Sequence, residues 1–129
     1  MKKEIKDYLE SNPIISTAII FGSVAKNMQH QHSDIDIAVI LNDGELSFQE
    51  KNNIILELNA ITSREVDCIE LDKVSPVLQM QVIKNGICLF CKDEHRLNNL
   101  KIEIIRNYLD LKKVRKPIED RLKDVSIYG

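Results

Sequence analysis

Ile5, Tyr8 and Leu9 recur at i, i+3 and i+4, the spacing of one helix face, and Ser11-Asn12-Pro13 ends that helix. Thr17 to Phe21 is a short apolar, β-branched run closed by Gly22-Ser23, which predicts a buried strand and a tight turn. Val24 to Gln31 has no clear period. Asp34 to Leu41 is the strongest strand signal, and Asn42-Asp43-Gly44 closes it. Ile54, Ile55, Leu58 and Ile61 mark an amphipathic helix over about 45–62. Val66 to Leu71 reads as a third strand.

Ser75-Pro76 predicts the next helix, with Ser at the N-cap and Pro in the first turn. Asn85-Gly86 ends it, Gly86 being expected at positive φ. Ile87 to Phe90 is a fourth, short strand. Ile102, Ile105, Tyr108 and Leu109 describe a long helix from about Arg96, which Pro117 is expected to break or kink before one further helix over Ile118, Leu122 and Val125. Strands alternating with helices predict an α/β (α+β) fold, a small mixed sheet with helices packed against it. Residues 1–129 read as one domain, with a core over about 1–92 and a C-terminal helical segment over about 93–127. There is no G-x-G-x-x-G or P-loop string, so the doubly wound nucleotide fold is not favoured.

Composition narrows the function. Eighteen Lys and Arg against twenty Asp and Glu give a net charge of −2, a poor balance for holding nucleic acid through its phosphates. Aromatic residues are 5% and Trp is absent, too few for base-stacking platforms. No segment reads as a signal peptide or a membrane span. Three cysteines, an odd number, read as free thiols in a reducing cytoplasm.

The informative chemistry opens the second strand. Asp34 and Asp36 are spaced i, i+2, so their side chains share a face about 6 Å apart. At an effective dielectric near 20 their repulsion is about 2–3 kcal/mol, which a divalent cation would remove. Hard oxygen ligands with open positions suit Mg²⁺ and substrate phosphates. Gly22-Ser23 supplies a turn whose backbone can approach a phosphate closely. Asp67, inside the third strand, is another acid where a strand would prefer none. Such a trio on neighbouring strands suits two metal ions assisting an in-line phosphoryl displacement.

The string Phe21-Gly22-Ser23 followed by Ser33-Asp34-Ile35-Asp36-Ile37-Ala38-Val39 resembles the signature of the polymerase β-like nucleotidyltransferases, especially their minimal members. Val66 to Leu71 resembles the family's third-acid strand. Ser75 to Val82, Asn85 to Phe90 and Tyr108 to Lys112 resemble the segments of an antitoxin branch. That branch is paired with helical HEPN-domain ribonuclease toxins. The resemblance implies the polymerase β-like nucleotidyltransferase fold. It implies an adenylyltransferase that moves AMP from ATP to a tyrosine of the toxin, with pyrophosphate leaving. Asp34, Asp36 and Asp67 would be the catalytic acids and hold two Mg²⁺ ions. Gly22 and Ser23 would hold the nucleotide phosphates.

Two departures stand out. Relatives often carry a basic residue where Val24 stands and Gly where Asn27 stands, while Lys26 keeps the second basic position. Two rival functions follow: an antitoxin that masks its toxin by contact alone, and a transferase with a small acceptor of the aminoglycoside kind. Other residues invite plainer readings. His30 and His32 read as solvated loop histidines. Cys88 and Cys91 would fall on opposite faces of a strand and read as packing or edge cysteines. Lys112 to Lys116 reads as a solvated helix end, and Arg64 as a surface arginine with a nucleotide contact as the alternative.

Overall fold

A computed structural model describes residues 1–22 and 34–124, with side chains as far as Lys112. Helix α1 (Lys2–Glu10) leads into strand β1 (Ile15–Phe21), and β2 (Ile35–Leu41) follows. Helix α2 (Phe48–Thr62) precedes β3 (Val66–Glu70), a single 3-10 turn (Leu71–Lys73) and helix α3 (Pro76–Asn85). Strand β4 (Ile87–Cys91) and the long helix α4 (Glu94–Asp124) complete the order.

The sheet runs β3-β2-β1-β4. Strand β1 pairs antiparallel with both β2 and β4, while β2 and β3 are parallel. The mixed sheet expected from the alternation of elements is therefore present. The parallel pair forms because α2 carries the chain back across the sheet, the connection a parallel pair requires.

Alternation along β2 divides the core. Ile35, Ile37 and Val39 face α1 and α2 and pack with Ile5, Leu9, Ile54 and Leu58. Ala38 and Ile40 face the other way and pack with Val82 of α3 and Leu97 and Ile104 of α4. Both faces are covered, so β1 and β2 are buried almost throughout and read as continuous apolar runs rather than alternating ones.

Local signals set the element boundaries. A capping box starts α2: Ser47 accepts from the Glu50 N–H at 3.1 Å, and Glu50 Oε1 accepts from the Ser47 N–H at 3.0 Å. Ser75 caps α3 with Pro76 in the first turn, as expected. Two expectations are corrected. Gly86 does not enter positive φ; it is extended at φ −76°. Glycine is needed there for space instead, because a Cβ would collide with the Val82 carbonyl oxygen and the Ile19 side chain. Nor does Pro117 break the helix or start a new one at Ile118, since α4 is continuous from Glu94 to Asp124; Val125 lies outside the described residues. Proline removes one backbone donor, and one lost bond in a helix of 31 residues does not terminate it. Among the described residues no helix is long and apolar enough to cross a membrane.

Candidate active site at one end of the sheet

The register brings the predicted acids together. Asp36 on β2 is the direct partner of Asp67 on the parallel neighbour β3, and of Phe21 on β1. Neighbouring strands lie about 4.8 Å apart, so the two carboxylates leave adjacent positions on one face. That face is the one that α3 and α4 cover further along, because Ile35 and Ile37 on either side of Asp36 point into the opposite core. Asp34 sits one residue before β2, at the same end.

Two hydrogen bonds fix β3 in this register. Asn59 Oδ1 accepts from the Val66 N–H at 2.7 Å, and the Ile35 N–H donates to the Glu65 carbonyl at 2.9 Å. Before them, α2 ends on Ser63 in the left-handed region at φ 56°, which turns the chain into the strand. Asp67 thus owes its place to a helix cap and an asparagine rather than to its own contacts.

Gly22 completes the arrangement. Its φ is +80°, which glycine adopts freely, and a Cβ added there would stand 2.5 Å from Asp36 Oδ2. The backbone therefore passes against the carboxylate with no side chain between them. Ser23, Val24, Lys26, Asn27, His30 and His32 lie outside the described residues.

The electrostatics follow from the crowding. Asp36 is half-buried, while Asp34 and Asp67 are exposed. Burial lifts the Asp36 carboxyl above its ordinary value, and the negative charges of Asp67 and then Asp34 push it the same way. Among the described residues no three His, Cys, Asp or Glu side chains are gathered into a group that could by itself hold a metal ion. An open pair of carboxylates with a glycine turn beside it is a different donor set. It supplies part of an octahedral oxygen shell and leaves the rest to water and phosphate, which suits Mg²⁺.

The sequence reading passed over a second feature of this face. A groove of about 770 Å³ lies between the 3-10 turn and α4, over Ile40, with Asp72, Gln79, Arg96, Asn99 and Glu103 among its walls. Ile40 is four residues along β2 from Asp36 and on the same face. The signal was present as polar residues at i, i+3 and i+7 on α4 (Arg96, Asn99, Glu103), but a polar helix stripe ordinarily means solvent.

All three thiols are free, as expected, and Cys88 is exposed on the edge strand β4. Cys68 points into the α1–α2 core with its thiol pushed up to about 12 by burial. Cys91 packs toward α3 and α4 and accepts a hydrogen bond from Thr17 Oγ1 at 3.4 Å.

Known proteins share this fold. A relative named protein adenylyltransferase MntA, from Shewanella oneidensis, is 33% identical over 84 residues, covering 65% of this chain and 60% of its own. A protein of the same name from Aphanizomenon flos-aquae is 23% identical over 113 residues, covering 81% of this chain and 75% of its own. The crystal structure of a toxin-antitoxin with AMP-PNP superposes with a TM-score of 0.80 at 28% identity, covering 95% of this chain and 98% of that one. The family model described as polymerase beta, nucleotidyltransferase matches residues 3–95, and the chain belongs to that family.

Proposed function

We propose that this protein is an adenylyltransferase that serves as an antitoxin, moving AMP from ATP to a tyrosine of a HEPN-type toxin. The observation that carries the reading is the pairing of Asp36 with Asp67 across β2 and β3, beside the bare backbone of Gly22. Family membership supports nucleotidyl transfer. The relatives' name supports a protein acceptor, and the toxin-antitoxin neighbour solved with AMP-PNP supports both an adenine nucleotide and a toxin partner.

Each residue has a role in this reading. Asp34, Asp36 and Asp67 would hold Mg²⁺. When bound, the metal would offset phosphate charge and lower the cost of deprotonating the acceptor. Gly22, with Ser23 after it, would hold the β- and γ-phosphates against the backbone. The acceptor phenol oxygen bonds to the α-phosphorus from the side opposite the leaving group. The bond from that phosphorus to the bridging oxygen breaks, and pyrophosphate leaves. A phenol holds its proton to pH near 10, and Asp67, exposed on the edge strand, would accept it in this reading.

Intact-mass analysis of the co-encoded helical partner, incubated with this protein, ATP and Mg²⁺, tests the proposal. The expected result is a gain of one or more AMP units that Asp36→Asn abolishes. A stable complex with no mass gain would replace the transferase reading with masking by contact alone.

A further inference from the structure

A cationic hollow lies at the catalytic end of the sheet but on its other face. Helix α1 ends where β1 begins, beside Leu41, so its first residues stand at the opposite end, where β2 and β3 start. Arg64 comes just before β3. Together Met1, Lys2, Lys3 and Arg64 line a shallow cavity of about 460 Å³. The basic side chains come from segments more than 60 residues apart in sequence, so the cluster exists only in the fold.

Arg64 is half-buried in the wall of the hollow: its Nη1 is buried with no hydrogen-bond partner among the described residues, and the rest of the side chain lines the cavity. A buried guanidinium nitrogen left unpaired costs stability, and arginine is the side chain best shaped to grip an oxyanion. Among the described residues no acid pairs with Arg64, and Glu4 on α1 is engaged by the amino group of Met1 at 2.8 Å.

We infer that Lys2, Lys3 and Arg64 form a phosphate-binding site separate from the acid cluster, taking the phosphate of a small anion such as pyrophosphate or a nucleoside monophosphate. The site needs no metal, because its own charge is positive. It does not depend on the antitoxin reading. It would hold a phosphate group close to the catalytic end without competing for the carboxylate face.

Calorimetric titration of the full chain in EDTA separates the two sites, because metal-free acids repel phosphate. Pyrophosphate and AMP are the two probes. Binding of either supports the site, and the tighter one names its source: a free polyphosphate or a nucleotide. Arg64→Gln is expected to weaken binding about tenfold, the worth of one charge-assisted contact. The paired change Lys2→Gln and Lys3→Gln alters side chains outside the two cores and is expected to weaken binding severalfold. Asp36→Asn is expected to leave it unchanged. The inference fails if neither probe binds, if binding survives both basic-residue variants, or if Asp36→Asn abolishes it.

Discussion

The backbone of Gly22 lies against the carboxylate of Asp36, with room for a hydrogen and not for a methyl group: a Cβ would stand 2.5 Å from Asp36 Oδ2. Two demands therefore meet at one residue, a φ of +80° and a close approach. Gly22→Ala violates both. The left-handed backbone costs about 1–2 kcal/mol, and the flexible end of Asp36 swings away to relieve the clash. A displaced carboxylate about 1 Å out of position can lower a rate about a hundredfold. Urea denaturation should thus record a modest loss of stability, and a nucleotidyl-transfer assay a much larger loss of activity.

Asp36 and Asp67 impose the reverse trade. In the absence of metal they face each other as like charges across a parallel pair. The gross repulsion is about 3 kcal/mol at an effective dielectric of 20, and the exposure of Asp67 cuts the net value to about 1 kcal/mol. Asp36→Asn should raise the melting temperature in EDTA by about 3–5 °C while abolishing transfer. Added Mg²⁺ should stabilise the wild type and leave the variant unmoved. Equal melting temperatures in EDTA would show that the pair carries no strain.

The acids were legible in the sequence because an aspartate inside an apolar strand contradicts its surroundings. Gly22 was legible because it closes such a strand. The strand order was not, since nothing local says that β2 pairs with β1 on one side and β3 on the other. Gly86 misled because its neighbours look like a helix stop that requires positive φ, while the true demand is for room beside the Val82 carbonyl oxygen and the side chain of Ile19, 67 positions earlier. The break expected at Pro117 does not occur, because helix extends on both sides of the one lost backbone donor. Arg64 and Lys2 could not be joined at all before folding. Sequence patterns report what one segment needs; they do not report what two distant segments make together.

The capping box at the start of α2 offers a test of stability apart from chemistry. Ser47 and Glu50 satisfy each other's backbone donors, while Glu70 Oε1 accepts from the adjacent Leu46 N–H at 3.0 Å. Ser47→Ala removes one acceptor at an exposed site and should cost about 1 kcal/mol, read as a lower midpoint in urea with an unchanged slope. Glu70 ties the same loop to the end of β3, remote from Asp67's end of that strand. Ser47→Ala should therefore leave the transfer rate unchanged at temperatures where the protein stays folded.

Cys68 predicts an alkaline limit to stability. Its side chain is fully buried between α1 and α2, and burial raises the thiol from 9.0 to about 12. Between those two values the unfolded chain gives up this proton while the folded chain keeps it. The folded state then binds more protons, so stability falls as pH rises. The fall begins near 9, ends near 12, and approaches about 1.4 kcal/mol per pH unit within that window. Below 9 both states hold the proton and the thiol contributes no slope. Urea titrations at pH 8, 9 and 10 should show the decline, and Cys68→Val, which keeps an apolar side chain of similar size, should flatten it. The same burial should keep Cys68 unreactive to iodoacetamide in the folded protein, while the exposed Cys88 is alkylated. Rapid alkylation of Cys68 under native conditions would mean that the core between α1, α2 and the sheet opens far more readily than its packing implies.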